Sequence, residues 1–416
     1  MQRIVILGAG FAGLWSAIGA ARRREELGID PTRLAIVVID QNPWHSIRVR
    51  NYESELEQTR IPLTEVLDPV GVEHLAGLVT DIDVLKREVA YQAGDRSQSL
   101  TYDRVVMALG SRLFRPAIPG LRTCGFDVDT YEAGCRLNQH VADLPKAASG
   151  PGQYTAVVVG GGLTGIEAAT ELVSKLRRAR ETAPVSAHTP PVRVILVDRN
   201  AWIGSDMGDS ARPVIAEALQ ALGVETRVDA SLTAVEADAA IVDGERIPAR
   251  TVVWCAGMRA NPLTEDIPVP RDRLGRLPVD PFMRVPGVPA VFAAGDAAWL
   301  PIDGKHLSVM SCQHGRPMGR FAGNNVVSDL VGQPMLPLSI DWYTTILDLG
   351  AWGAVYTEGW DRVVVTKGAE AKRTKEIINR ERIYPPRSGK RREILDAAAP
   401  VVQKPPPVFS NLQTSS

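Results

Sequence analysis

Two glycine-rich hexapeptides have the residue types and spacing of a turn that binds a dinucleotide. The first, Gly8-Ala9-Gly10-Phe11-Ala12-Gly13, follows an apolar run at residues 3–7 and precedes a helix-favouring segment. In such a turn the first glycine permits the bend, the second lets backbone amides approach a pyrophosphate, and the third lets helix and strand pack closely. Asp40, followed by Gln41, ends the next apolar run and is placed to accept hydrogen bonds from a ribose. The alternative is a glycine-rich turn without a ligand.

The second hexapeptide repeats this pattern in the middle of the chain. Gly160-Gly161-Gly162-Leu163-Thr164-Gly165 follows the apolar run 155–159, and Asp198 ends the next apolar run. Two such turns predict two bound dinucleotides. An acid at Asp198 favours a free ribose 2′-hydroxyl and hence NADH, whereas Arg199 beside it could receive a 2′-phosphate, so NADPH stays open.

The elements that must position these turns are βαβ units. Each hexapeptide lies between an apolar strand and a helix, and each helix is followed by a second strand, as in a right-handed crossover. Three further apolar runs end near glycine, at residues 104–107, 251–254 and 290–292. Beyond about residue 335, tryptophans interleaved with glycines indicate a small β-rich piece.

Composition excludes several functions. The formal net charge of −1 gives no basic face for nucleic acid, so no nucleic-acid partner is expected. The 4 cysteines form no C-x-x-C pair, so neither a metal site nor a dithiol centre is predicted. A reducing compartment fits these free thiols, and no apolar run is long enough for a spanning helix. We therefore predict a cytoplasmic protein, with peripheral attachment to the inner face of a membrane as an alternative.

Residues 1–335 resemble the two-dinucleotide-binding-domain flavoproteins, and among them the type II NADH dehydrogenase-like group. Ala293-Ala294-Gly295-Asp296 matches that group's second flavin motif, whose aspartate hydrogen-bonds the FAD ribitol. The resemblance implies that FAD is bound by Gly8, Gly10, Phe11, Ala12, Gly13, Asp40, Gln41, Val79, Ala108, Gly110, Gly295 and Asp296. It implies that NADH, or alternatively NADPH, is bound by Gly160, Gly162, Leu163, Thr164, Gly165, Glu167, Asp198, Ala256 and Gly257.

The expected fold class is α/β, with two Rossmann-like domains and a small C-terminal β-rich extension. We expect an FAD-binding domain at residues 1–115 and 265–335, interrupted by an NAD(P)-binding domain at residues 116–264. Residues 336–400 form the C-terminal domain, and residues 401–416 are predicted to be a disordered tail.

The same resemblance implies catalytic roles for two residues. It implies that Glu167 lies near the nicotinamide and the flavin, where it positions the nicotinamide or relays protons. Its alternative is an acid that complements the helix dipole. Gln313 matches the first glutamine of the group's quinone-site motif, but Pro317 stands where the second belongs.

The electron acceptor is the open part of the prediction. Residues 41–47 contain no cysteine, which disfavours disulfide-reductase chemistry. We expect an NAD(P)H dehydrogenase that transfers a hydride to FAD and passes electrons to a quinone or similar small molecule. The alternatives are a reductase of a ferredoxin- or rubredoxin-type carrier protein and a non-catalytic nucleotide sensor. The basic run 371–392 is interpreted as a solvated face, with a carrier or lipid surface as alternatives, and the chain as a monomer or homodimer.

Overall fold

The computed structural model describes residues 1–147, 149–183 and 190–409. Residues 1–113 contain, in chain order, β1 (Gln2–Leu7), α1 (Phe11–Glu26), β2 (Leu34–Asp40), β3 (Trp44–Ser46), β4 (Arg60–Pro62), α2 (Leu63–Leu67), β5 (Glu73–Ala76), β6 (Leu78–Asp83), β7 (Glu88–Ala93), β8 (Arg96–Thr101), β9 (Arg104–Met107) and β10 (Ser111–Leu113).

The middle of the chain follows with α3 (Leu121–Cys124), α4 (Tyr131–Asp143), β11 (Thr155–Val159), α5 (Leu163–Glu181), β12 (Arg193–Val197), α6 (Gly208–Leu222), β13 (Val224–Arg227), β14 (Leu232–Val235), β15 (Ala239–Val242), β16 (Glu245–Pro248), β17 (Thr251–Trp254) and β18 (Met258–Ala260). The last part contains β19 (Leu277–Pro278), β20 (Val291–Ala293), β21 (Ala298–Trp299), α7 (Cys312–Leu330), β22 (Thr344–Asp348), β23 (Ala354–Glu358), β24 (Val363–Gly368), α8 (Ala369–Ile377) and α9 (Arg391–Ala397).

A five-stranded parallel sheet carries the first glycine turn. Its strand order is β20-β9-β1-β2-β5, and β1 pairs with both β2 and β9. Ile4, Val5, Ile6 and Leu7 are fully buried because a central parallel strand is covered on both faces, which explains the unbroken apolar run. The glycine turn therefore begins at the carboxyl edge of the sheet, where ligands of open α/β sheets bind.

A four-stranded parallel sheet carries the second turn. Its order is β13-β12-β11-β17, with β11 at the same topological position as β1 in the first sheet. The chain returns to the first sheet only afterwards, when β20 pairs with β9. This arrangement, a first α/β sheet interrupted by a second one, confirms the predicted fold class.

Each glycine turn leads directly into a helix. α1 begins at Phe11, directly after Gly10, and α5 begins at Leu163, directly after Gly162. α5 also continues to Glu181, because its last turns consist of arginine, alanine and glutamate, which favour helix. The connection from α5 to β12 follows, and its residues 184–189 lie outside the described part of the chain.

The C-terminal part consists of an antiparallel sheet, β22-β23-β24, with α8 packed on it. Residues 401–409, assigned to the predicted tail, form no helix or strand but contact α8, where Thr374 Oγ1 donates to the Pro407 carbonyl at 3.0 Å. Residues 410–416 of that prediction lie outside the described residues. Within the described residues, no helix is both long and apolar enough to cross a membrane.

Candidate functional site

The first glycine turn leaves a vacant surface above the start of α1. A Cβ on Gly13 would lie 1.8 Å from the Gly8 carbonyl oxygen, so only glycine permits this approach of helix and strand. A Cβ on Gly10 would meet no protein atom within 4 Å. The amides in the first turn of an α-helix have no partner within the helix, and no side chain caps those of α1. The turn thus presents open N–H groups and the positive end of a helix to an anionic group.

Asp40 organises this turn from the end of β2. Its Oδ2 accepts a hydrogen bond from the Ala9 amide at 2.7 Å, and its Oδ1 accepts one from the Asn42 amide at 2.8 Å. Burial raises the pKa of Asp40, and these amide hydrogen bonds oppose that shift. The carboxylate therefore braces the turn while it also lines the cavity described below.

The second turn is built in the same way. A Cβ on Gly165 would lie 1.7 Å from the Gly160 carbonyl oxygen, and α5 also lacks a capping side chain. Asp198 accepts hydrogen bonds from the Gly161 amide and, at 2.7 Å, from the Asn200 amide. Both turns thus share two features. The third glycine packs closely against the first, and an aspartate accepts a hydrogen bond from a backbone amide of the turn.

Both turns open into one cavity of about 2180 Å³. Its lining includes almost all of the predicted cofactor residues: Gly8, Gly10, Phe11, Ala12, Asp40, Gln41, Val79, Ala108, Gly110, Gly160, Gly162, Leu163, Thr164, Glu167, Asp198, Ala256, Gly257, Gly295 and Asp296. Gly13 and Gly165 do not line it, because they serve the packing beneath the turns. The vacant surface at Gly10 and the uncapped helix ends fit two dinucleotides in this cavity.

Asp296 lies within a polar group that the sequence pattern did not reveal. It accepts a hydrogen bond from Ser111 Oγ at 2.6 Å, and Arg48 Nη1 lies 4.0 Å from its Oδ2. Burial raises the pKa of Asp296, while Ser111 and the positive charge of Arg48 oppose the rise. Arg48 also forms an ion pair with Asp129. These partners come from distant parts of the chain, and no local motif marks them.

Glu167 is held in a buried ion pair that the sequence did not predict. Lys375 Nζ, from α8, lies 2.7 Å from Glu167 Oε1, which also accepts the Asp348 amide at 3.1 Å. Burial raises the pKa of Glu167, and the charge of Lys375 opposes this. Burial alone would lower the pKa of Lys375, but the carboxylates of Glu167 and Asp348 outweigh it and raise that pKa. The pair can therefore hold a proton at the cavity wall.

The interpretation of the basic run as a solvated face is wrong for its first lysines. Lys375 is 8% exposed and points at Glu167, and Lys372 donates to Asp348 Oδ1 at 2.6 Å. The reason is that α8 packs on the C-terminal sheet, so that Asp348 of β22 and Glu167 of α5 lie within reach of its lysines.

Gln313 lies in the first turn of α7, which Ser311 caps by accepting the His314 amide. Thr344 Oγ1 donates to Gln313 Oε1 at 3.5 Å, whereas the Gln313 Nε2 is buried without a partner among the described residues. Pro317 is inside the same helix. Gln313 therefore lines the cavity and holds a buried amide donor without a partner.

Comparison with known proteins identifies the family. The pattern of the pyridine nucleotide-disulphide oxidoreductases matches residues 2–319. The chain belongs to this family. It is 55% identical over 407 residues to an NADH dehydrogenase-like protein of Mycobacterium tuberculosis, which covers 98% of this chain and 100% of that protein.

More distant relatives and solved structures also match the chain. A type II NADH:quinone oxidoreductase of Mycobacterium tuberculosis is 29% identical over 325 residues, which cover 71% of this chain and 67% of that protein. A solved structure of NDH2 from Plasmodium falciparum superposes with a TM-score of 0.76 at 12% identity, over 95% of this chain and 97% of that chain. That likeness shows the fold alone. The predictions of an FAD-dependent oxidoreductase of the NADH dehydrogenase type, with FAD and NADH as cofactors, are confirmed.

Proposed function

We propose that this NADH dehydrogenase-like flavoprotein passes its electrons to a quinone bound in the same cavity as the cofactors. The observation that carries the proposal is that the cavity shared by both glycine turns is also lined by side chains of α7 and the C-terminal part. We call this surface the acceptor wall and define it by Gln313, Ile340, Trp342, Thr344, Ile346 and Lys375.

The chemistry of the acceptor wall suits a quinone. Ile340, Trp342 and Ile346 provide apolar surface for a flat ring. The unpartnered Gln313 amide is a donor for a quinone oxygen. A ring that is apolar on its faces and accepts hydrogen bonds at its oxygens would match both features.

The protein's own residues would supply orientation and a proton. FAD, when bound, supplies the capacity to accept a hydride and release electrons. Reduction of a quinone to a quinol takes two electrons and two protons. Lys375, which the cavity exposes and Glu167 holds in place, is positioned to donate one proton and to recover it through that carboxylate.

Thiol chemistry has little support in this site. Residues 41–47 contain no cysteine. The two cysteines that line the cavity, Cys255 and Cys312, are both buried in ways that raise the pKa of each thiol. A thiol with a raised pKa is a poor nucleophile at neutral pH.

A carrier-protein acceptor has less support from the first part of the basic run. Lys372 and Lys375 of the basic run pair with carboxylates inside the molecule, and Arg382 donates to the carbonyls of residues 404 and 405. The two lysines are therefore neutralised within the molecule, and Arg382 lines the cavity rather than an outer docking surface. Attachment to the inner face of a membrane stays a prediction.

The test compares acceptors on the FAD-loaded, full-length protein at saturating NADH. We expect menadione to sustain faster turnover than ferredoxin or oxygen. Gln313→Leu should lower kcat/KM for menadione by about tenfold, the effect of one lost hydrogen bond to a ligand, and should leave reduction of FAD by NADH intact. Gln333→Leu is the matched control, because Gln333 is exposed beyond the end of α7. Turnover with ferredoxin but not with menadione would contradict the proposal.

A further inference from the structure

Three arginines face the cavity beyond the acceptor wall, and we call them the arginine cluster: Arg316, Arg320 and Arg382. Arg316 and Arg320 are four residues apart on α7 and therefore lie on one face of the helix. Their guanidinium carbons lie 5.2 and 4.4 Å from the ring centroid of Trp15 in α1. The two side chains are thus stacked side by side on one indole.

These guanidinium groups are buried without a counter-ion. Arg316 is 6% exposed and Arg320 is 2% exposed. Within the described part of the chain, neither lies within 4 Å of a carboxylate, and neither donates a hydrogen bond from its side chain. The Nε atoms of both arginines, and Nε1 of Trp15, are buried without a partner there. Arg316, Arg320 and Trp15 therefore hold donors that have no acceptor among these side chains, whereas Arg382 donates to the carbonyls of residues 404 and 405.

An uncompensated group of buried cations is unfavourable. Burial lowers the pKa of Arg316 to about 10 and that of Arg320 to about 9; repulsion from Arg316 adds to the shift of Arg320, and repulsion from Arg382 adds to both. Both groups still carry a positive charge at neutral pH. Since buried charges are retained only with a partner of opposite sign, the arrangement calls for an anion. The planar guanidinium is the side chain best suited to bind a carboxylate, sulfonate or phosphate through two hydrogen bonds.

Apolar residues surround the cluster. Ile383, Val402 and Pro406 line the same cavity as the cluster, and so do Ile340 and Trp342 of the acceptor wall. A ligand that satisfies both surfaces has a flat apolar ring and an acidic group. The uncapped α1 end at Gly10, rather than the cluster, already provides a place for the pyrophosphate of a dinucleotide.

We propose that the arginine cluster binds the acidic group of the electron acceptor, and that this acceptor is an anionic quinone. The inference rests on the proposed quinone reductase function and narrows its substrate class. The reaction balances as NADH plus a proton plus the anionic quinone giving NAD⁺ and the anionic quinol. The quinone takes two electrons and two protons, and its acidic group is unchanged.

The first experiment compares 1,4-naphthoquinone-2-sulfonate with menadione as acceptors for the FAD-loaded protein at saturating NADH. In Arg316→Gln and Arg320→Gln, we expect the ratio of kcat/KM for the sulfonate to kcat/KM for menadione to fall about tenfold, because one charge-assisted contact is lost. Arg316→Lys should retain part of the ratio. Arg392→Gln is the control, since its side chain is 81% exposed and pairs with Asp396. An unchanged ratio in both glutamine variants would overturn the proposal.

The second experiment needs no turnover. Naphthalene-2-sulfonate should bind the oxidised holoprotein in calorimetry and raise its Tm, with weaker binding to Arg320→Gln and at high salt. Binding without reduction of either quinone would contradict the proposed quinone reductase function but would support the anion site. Absence of binding to the wild-type protein would contradict the anion site. A folded Arg320→Gln variant that has lost FAD would show that the cluster serves the cofactor and would also overturn the inference.

Discussion

The glycine turns and the acceptor side of the cavity meet their ligands with different groups. Each turn offers backbone amides and the end of a helix, braced by Asp40 or Asp198. The acceptor side offers charged side chains, namely the Glu167–Lys375 pair and the arginine cluster. Backbone donors suit a ligand common to the whole family, whereas side chains can be exchanged one at a time. Under the proposed function, cofactor choice is built into the backbone of the fold, and acceptor choice depends on side chains added to it.

The strongest way to break the comparison is to disturb the turns themselves. Gly13→Ala places a Cβ 1.8 Å from a carbonyl oxygen, which should destabilise the turn by more than about 4 kcal/mol and yield protein without FAD. Gly165→Ala meets the same obstacle at 1.7 Å in the second unit. It should leave FAD bound but slow flavin reduction by NADH roughly a hundredfold. Flavin content measures the first effect, and anaerobic bleaching of the flavin by NADH measures the second. Equal loss of flavin in both variants would argue against separate binding sites for FAD and NADH at the two turns.

The buried ion pair gives the next largest effect. Lys375→Met should lower the free energy of unfolding by about 3–5 kcal/mol, because it leaves Glu167 buried without its cation. Combining it with Glu167→Gln should recover much of the loss.

The pH dependence of this variant has a definite sign. Burial raises the pKa of Glu167 above its usual 4.5 in the folded protein, so the unfolded chain releases this proton first. In Lys375→Met, stability relative to the double variant should therefore fall as pH rises above about 4.5. A difference that shrinks with rising pH in thermal unfolding would contradict the assignment.

A smaller effect is expected at the second turn. Asp198→Ala removes the acceptor of the Gly161 and Asn200 amides, so it should raise the KM for NADH about tenfold and leave FAD bound. The ratio of kcat/KM for NADH to that for NADPH should fall, since the carboxylate no longer repels a 2′-phosphate. Steady-state assays with both nucleotides measure this, and a ratio that does not change would leave Asp198 with a purely structural role.

The smallest effect concerns Lys372, whose partner Asp348 is also near the buried pair. The side chain of Lys372 is 29% exposed, against 10% for Lys375. Lys372→Met should therefore cost about 1 kcal/mol of unfolding free energy, because Lys372 is partly exposed and Asp348 keeps hydrogen bonds from Tyr52 Oη and the Gly350 amide. If it destabilised the protein as much as Lys375→Met does, burial would not be what distinguishes the two lysines.

The glycine turns could be predicted from the sequence, whereas the ion pair and the arginine cluster could not. The difference is how far apart their residues lie in the sequence. Each glycine turn, with its strand and helix, is a continuous segment, so its residue spacing reveals it. Glu167 and Lys375 are 208 residues apart, and no periodicity connects them. The arginine cluster combines α7 with the region after α8, and its stacking on Trp15 needs the packing of α1 against α7. The four-residue spacing of Arg316 and Arg320 was the one local signal for it.

The most direct test of the central claim is an anaerobic two-step mixing experiment on the FAD-loaded protein. Mixing with an equimolar amount of NADH should bleach the flavin absorbance, and a second mixing with menadione should restore it. The account predicts this result because it places NADH, FAD and the quinone in one cavity. Bleaching that a quinone cannot reverse, or no bleaching by NADH, would contradict the account.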